Sequence, residues 1–272
     1  SDGLARTLQT IGYGQSPTQK DVVGSVVVYD NAGREAQRGI LTPTSSFSGN
    51  YQPNPFTLAN GFYNDSHAYS EITAYDNSPM NRVRVTLGAG QAWVTNNKPT
   101  QTFDELAGSD IRRYIVDANN DIYWWNYYPN NILYKKRTVD EQGHTVLLIT
   151  NRLGNIVEKQ VEVAPNDFAT THYVYDDLQR LRAFIQPQGY VLSQTLTYNS
   201  TAYSNYIFAY QYDEKNRIVR KHIPNAGWTN YVYDKVNRPV MEQSALQATA
   251  NKWSFTKYDL FGRVVIQGEL AT

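Results

Sequence analysis

NYVYDKVNRPV occupies residues 230–240. Tyr233 and Asp234 stand side by side, and Arg238 follows the aspartate by four positions. Taken alone, the stretch reads as a carboxylic acid poised beside a cation. AYQYDEKNRIV (209–219) and THYVYDDLQRLR (171–182) repeat the phrase. Recurrence asks for a unit of construction rather than a single site.

Aligned on the residue that opens each turn, the segments are headed by Asp30, Asp117, Asp140, Asn151, Asp176, Asp213, Asp234 and Asp259. Their fourth residues are Gly33, Asn120, Gly143, Gly154, Gln179, Asn216, Asn237 and Gly262. All but Gln179 are residues that tolerate a positive φ. A type I turn followed by one left-handed residue is a common hairpin connection with a bulge, and a leading Asp accepts the N–H two residues on. The phrase therefore predicts hairpin tips. Tyr29, Tyr175, Tyr212, Tyr233 and Tyr258 directly precede the head residues, and Arg34, Arg180, Arg217, Arg238 and Arg263 begin the return strands. Stacked hairpins would pack Tyr on Tyr and pair each Arg with an Asp or a ring, within or between repeats.

From Asp117 onward the heads lie 23, 11, 25, 37, 21 and 25 residues apart. A step of 21–25 fits two strands and the opposite turn of a meander. The steps of 11 and 37 sum to about two such repeats, which places Asn151 and Asp176 on the opposite edge from the other heads.

Composition agrees with strands and turns. Among 272 residues there are 22 Tyr, 9 Phe and 5 Trp but only 2 Met, and alternation marks GSVVVYD (24–30), NRVRVTL (81–87), HTVLLIT (144–150) and RVVIQGEL (263–270). Helical periodicity is scarce. Its best candidate is NKPTQTFDELAGSD (97–110). The stretch 41–62 reads as long loops, and AYDNSPMNRV (74–83) begins like the repeat but carries Pro79 where Gly or Asn belongs. A boundary near residue 110 separates a loop-rich β region (1–110, with one YD-like turn) from a repeat array (111–272). The expected fold is all-β: antiparallel hairpin repeats in a curved ribbon or partial shell.

YVYDDLQRLRAFIQPQG, YQYDEKNRIVR, YVYDKVNRPV and KYDLFGRVV resemble the YD repeats of the RHS family, over roughly residues 111–272. VVVYDNAGREAQ and AYSEITAYDNSPMNRVRVTLGAGQAW are similar to the segment that precedes the repeats in large RHS-type surface proteins of Bacteroidetes. The resemblance implies a long β-ribbon wound into a hollow shell that encloses a C-terminal toxin or effector, or serves as a surface module. The chain is then expected to be an opening piece of a shell, with further repeats of its own polypeptide and the enclosed effector as partners, secreted or held at the cell surface. It opens with SDGLARTLQT, which has neither Met nor an apolar core, so any export signal is expected upstream.

Charge and motifs exclude several classes. The 25 basic and 25 acidic residues balance, so no basic field invites nucleic acid. No cysteine is present to form a disulfide or thiolate metal site, and no apolar run reaches membrane-spanning length. His67, His144, His172 and His222 lack metal-ligand spacing. DANND (117–121) alternates oxygen ligands like a calcium loop, but Ile122 and Tyr128 stand where that loop needs Gly and Glu. The aspartates that would supply the paired carboxylates of a glycosidase are the turn heads, and the turn accounts for them. No enzyme, cofactor or metal is expected. IYWWNYYPNN (122–131) is the most ligand-like stretch: Tyr123, Trp124, Trp125, Tyr127 and Tyr128 would show aromatics on both faces of a strand, either as packing or to stack on surface glycans.

Overall fold

The structure is a computed structural model and describes residues 1–117, 119–192, 195–198 and 200–271. The chain divides into two compact units. One comprises Ser1–Glu105 and Lys136–Leu147, the other Leu106–Lys135 and Leu148–Thr272. Both are built of antiparallel β-structure, and the helices are short.

In the first unit, Val27–Tyr29, Glu35–Gly39, Tyr69–Tyr75, Val83–Leu87 and Thr100–Leu106 are successive antiparallel neighbours. Thr10–Gly12, Val22–Gly24 and Thr42–Pro43 form a small second sheet. Its loops are tied by the buried carboxylate of Asp21, which accepts the N–H groups of Gly14, Ser48 and Gly49. Those three backbone donors, that of Ser48 foremost, hold the Asp21 carboxyl below its ordinary range.

Two local expectations are corrected here. Thr100–Leu106, inside the helix candidate, is a strand that pairs Thr100 with Thr86 and Gln101 with Val85. Its Thr and Phe side chains suit a pleated surface, and a waiting sheet edge outweighs weak helical periodicity. The helix of that region lies earlier, at Gln91–Thr95. Within the stretch read as loop, Pro55–Tyr63 is helical. Pro55 sits in the first turn, where its missing N–H costs nothing, and Asn64 ends the helix at φ 51°.

In the second unit the sheet runs Val264–Ala271, Lys252–Tyr258, Pro239–Gln243, Gly227–Tyr233, Ile218–Ile223, Ile207–Tyr212, Leu181–Ile185, Asp167–Tyr175 and Ile156–Ala164. Neighbours in this sheet are neighbours in sequence, with the short helix Ala245–Thr249 before Lys252–Tyr258 and one longer insertion. Between Leu181–Ile185 and Ile207–Tyr212 the chain makes Pro187–Leu192, Thr195–Leu196 and Thr201–Tyr206. Thr195–Leu196 joins the hairpin of Arg112–Val116 and Ile122–Tyr127 in a three-stranded sheet. Tyr114, Ile122, Leu196 and Tyr203 pack with Val174, Ala183, Ile185, Ile207 and Ala209 of the larger sheet in the core. Each large aliphatic side chain buried there contributes about 1.5–3 kcal/mol.

This insertion overturns the spacing argument. It accounts for the step of 37 residues from Asp176 to Asp213, and the step of 11 from Asp140 to Asn151 is the single strand Thr145–Thr150. Asn151 and Asp176 do not lie opposite Asp213 but share its edge: Asn155 Nδ2 donates to Gln179 Oε1 at 3.0 Å, and Arg180 Nη1 to Asn216 Oδ1 at 3.0 Å. In the first unit it is the Asp140 turn that lies across from the Asp30 turn, with Glu141 against Thr100.

Candidate functional site

The Asp234 turn shows how the phrase is built. Asp234 N–H donates to Arg238 O (3.0 Å) and Asn237 N–H to Asp234 O (3.1 Å). Asp234 Oδ1 accepts Val236 N–H and Arg238 N–H at 2.9 Å each, and Oδ2 accepts Arg238 Nε at 2.7 Å. Asn237 takes φ 68°. A register shift between Val232 and Tyr233 supplies the bulge. Gly33, Asn120, Gly143, Gly154, Gln179, Asn216 and Gly262 also have φ between 61° and 91°. The Arg34, Arg217, Arg238 and Arg263 N–H groups are the main cause of the depressed carboxyl pKa at Asp30, Asp213, Asp234 and Asp259.

Successive turns are joined by their side chains. Arg34, Arg180 and Arg217 each donate Nη1 to the amide oxygen of the next turn's left-handed Asn, namely Asn81, Asn216 and Asn237. Arg238 Nη1 reaches Asp259 O instead, because Gly262 has no side chain. The four guanidinium groups lie 4.3–5.0 Å above the next turn's ring, Tyr75, Tyr212, Tyr233 and Tyr258. Those tyrosines donate their hydroxyls back to Glu35 O, Leu181 O, Ile218 O and Pro239 O, each the residue after the preceding Arg. Thus each Arg serves its own Asp and the next hairpin together.

Two turns in this ladder lie outside the eight heads read from the sequence. Asp2 heads one, with Oδ1 accepting Leu4 N–H and Arg6 N–H and Oδ2 accepting Arg6 Nε. Ala5 occupies the left-handed position at φ 61°. Arg6 lies 4.2 Å over Tyr29, and Tyr29 OH donates to Thr7 O. Asp76 heads the other. Its Oδ1 accepts Arg82 N–H at 3.0 Å, and Asn81 has φ 47°. The turn is two residues longer than its siblings, and Pro79 lies in the added length.

The remaining candidates are put to other uses. Asp117 Oδ1 accepts Asn119 N–H and Asp121 N–H, Asn120 Oδ1 accepts Arg182 Nη2 at 2.8 Å, and Asp121 Oδ1 accepts Tyr198 N–H at 2.6 Å. Ala118 of that loop lies outside the described residues. Protein donors thus engage the side-chain oxygens of this calcium-like loop. Asp140 pairs with His144 at 3.3 Å, and Asn151 accepts Leu153 N–H and Asn155 N–H. His222 Nδ1 donates to Ile207 O, and His67 packs 3.9 Å from the ring of Tyr69. Among the described residues no three of His, Asp and Glu gather as metal ligands.

The aromatic run splits. A register shift between Trp124 and Asn126 turns Trp125 outward, 61% exposed, and Tyr127 is 41% exposed. Trp124 stays half-buried, edge-on to Tyr127 at 4.9 Å and beneath Arg112. Tyr123 is half-buried, as is Tyr128 beside Arg113.

One buried polar cluster had no sequence signal. Glu158 and His172 face each other across adjacent strands, fully buried, with Nδ1 to Oε2 3.0 Å. Gln160 Nε2 donates to Glu158 Oε1 at 2.6 Å. Tyr114 meets His172 edge-on at 4.9 Å, and Arg112 donates to Tyr114 OH and Tyr190 O while lying over the Tyr190 ring. Burial drives the Tyr114 and Tyr190 hydroxyls above their ordinary pKa. Glu158, His172 and Tyr114 are buried, so the cluster cements the sheet to the hairpin packed on it. A Glu and a His 14 residues apart become partners only through strand register.

Fold and ladder define a class: an antiparallel repeat protein whose hairpins are coupled through their turns. A family described as a domain of unknown function, DUF6443, matches residues 1–106. No curated protein matches the chain. Among solved structures, the crystal structure of TcdB2-TccC3 is similar with TM-score 0.60 at 17% identity, covering 100% of this chain and 12% of that one. TcdB2-TccC3-Cdc42 gives 0.60 at 16% with the same coverage, and TcdB2-TccC3-TEV 0.57 at 16%, covering 93% and 10%. The chain therefore spans about an eighth or less of the length of these structures and shares their fold.

Proposed function

We propose that this chain is a non-catalytic length of wall in a secreted or surface-held YD-repeat shell, which encloses an effector carried further along the same polypeptide. One observation carries the proposal. The turn carboxylates that would serve as acids are committed to backbone N–H groups and to Arg, and those Arg side chains tie one hairpin to the next. Such chemistry extends a sheet hairpin by hairpin and occupies the carboxylates of the Asp–Arg turns. The likeness in fold to TcdB2-TccC3 and the YD-repeat resemblance support the same role. The test is protease protection in the protein expressed from its full reading frame. Containment expects the downstream segment to survive digestion that destroys the same segment expressed alone. Equal rates of digestion refute it.

A second reading rests on the outward turn of Trp125 beside Tyr127. A glycan could stack on either exposed ring. A glycan array with the native chain and with Trp124 and Trp125 changed to Ala decides it. Binding that is absent or indifferent to the changes removes the reading.

A further inference from the structure

LGAGQAW (87–93) belongs to no rung of the ladder. It leaves the strand Val83–Leu87 and enters the helix Gln91–Thr95. Gly90 takes φ 128°, which side-chain-bearing residues rarely adopt, and its N–H donates to His67 O at 2.7 Å. A Cβ at Gly90 would stand 3.1 Å from Trp93 Cδ1, and one at Gly88 would stand 4.0 Å from the same atom. The two glycines thus let the indole rest against the backbone. Trp93 remains 37% exposed.

Two half-buried carboxylates lie near that ring. Asp65 Oδ1 accepts His67 N–H at 2.7 Å and Gln91 N–H at 2.9 Å, which ties its loop to the start of the helix. Asp65 Oδ2 is 3.9 Å from the Cβ position of Gly90, hence no more than 7.0 Å from Trp93 Cδ1. Glu141 Oε1 accepts the Thr100 hydroxyl at 2.7 Å. It is 3.8 Å from the Cβ position of Gly88, hence no more than 7.8 Å from the same indole atom. One oxygen of each carboxylate is thereby engaged. Among the described residues no donor or cation meets Asp65 Oδ2 or Glu141 Oε2. Lys98, whose N–H donates to Trp93 O, is exposed and pairs with neither. Two like charges partly removed from water, beside an aromatic face, favour a cation.

We propose that Trp93, Asp65 and Glu141 form a binding site for a primary ammonium group, the exposed lysine of a partner protein. The ammonium lies over the indole and donates to Asp65 Oδ2 and Glu141 Oε2. Tryptophan attracts a cation more strongly than any other side-chain ring. Two open oxygens on separate carboxylates call for one compact head with several N–H groups, and a lysine ammonium has three. A quaternary ammonium has none. The planar fork of arginine matches both oxygens of a single carboxylate, and here each carboxylate offers one. The proposal is independent of the wall and containment readings.

The test follows the indole N–H signal of Trp93 in the nuclear magnetic resonance spectrum of the 272-residue protein, assigned by its loss in Trp93→Leu. The probes are n-butylammonium, tetramethylammonium and n-butanol at matched ionic strength, then N-acetyl-lysinamide and N-acetyl-argininamide. The expected result is a saturable shift with n-butylammonium and N-acetyl-lysinamide, at a Kd on the order of millimolar. Tetramethylammonium should bind about threefold or more weaker for want of a donor, and n-butanol should leave the signal in place. Asp65→Asn and Glu141→Gln keep an acceptor for His67, Gln91 and Thr100 but remove the charge. Each should weaken binding about threefold, the weight of one exposed ion pair. The probe comparisons need no variant, so they decide the matter even where a variant fails to fold. A signal that no ammonium moves, tetramethylammonium or N-acetyl-argininamide binding as tightly as N-acetyl-lysinamide, or indifference to both carboxylate changes overturns the proposal.

Discussion

Asn237→Ala removes two things at once from the Asp234 turn. Asn237 stands at φ 68°, where an L-residue with a Cβ is strained by about 1–2 kcal/mol and Asn is better tolerated than Ala. Its Oδ1 also accepts Arg217 Nη1 at 2.8 Å, a charged donor in an exposed setting worth about 0.5–1 kcal/mol. Asn237→Gly loses the second contribution and keeps the backbone relaxed, apart from a few tenths of a kcal/mol of added unfolded-state freedom (about 0.5 kcal/mol at most). Alanine should therefore cost about 2 kcal/mol and glycine about 1 kcal/mol. Urea unfolding reads the global value, and hydrogen exchange at the Arg238 and Val236 amides reads local opening of the hairpin. A double-mutant cycle with Arg217→Ala isolates the link between turns, because Arg217 also serves Asp213. An alanine variant as stable as the glycine variant would refute the left-handed assignment. A cycle without coupling would refute the ladder.

Ala5 is the converse case: it bears a Cβ at φ 61°, so Ala5→Gly should raise stability by about 1 kcal/mol, read as a higher urea midpoint. Tyr233→Phe should cost about 1 kcal/mol through the lost bond to Ile218 O, with no change in the far-ultraviolet circular dichroism. His172→Leu strands the buried Glu158 carboxylate with Gln160 as its remaining donor and should cost about 3 kcal/mol or more, while Glu158→Gln with His172→Gln together should cost less than the sum of the single changes. Acid should weaken the ladder. Asp30, Asp213, Asp234 and Asp259 hold fewer protons folded than unfolded, because their folded pKa values are depressed. The stability they contribute is complete above the ordinary carboxylate range near about pH 4 and is lost as pH falls through the depressed values. A Tm that is level from neutral pH to about 5 and then declines fits this, and a Tm unchanged down to about pH 2.5 contradicts it.

What the sequence by itself determined is local. Hairpin tips at Asp213, Asp234 and Asp259 are legible because the constraint that shapes them spans five residues: a carboxylate over two N–H groups, then one left-handed position. The all-β class followed from the same phrase. Where that short code is altered, by Ala5 in one turn and by two extra residues before Asn81 in another, the neighbouring hairpin still holds the turn: the Tyr29 ring and Gly33 O hold Arg6, and Arg34 Nη1 donates to Asn81 Oδ1. Tertiary structure decided everything that depends on register. It made Thr100–Leu106 a strand, since an open sheet edge offers hydrogen bonds that a short helix cannot match. It set the Asp213 turn on the same edge as Asn151 and Asp176, with the 37-residue step taken up by the inserted helices and short strand, where spacing alone put Asn151 and Asp176 on the opposite edge from the other heads. It joined Glu158 to His172, a pair invisible in one dimension because facing residues in a sheet share no fixed separation in sequence. In NYVYDKVNRPV, Asp234 and Asn237 shape their own turn, but what Tyr233 and Arg238 hold belongs to the hairpins on either side.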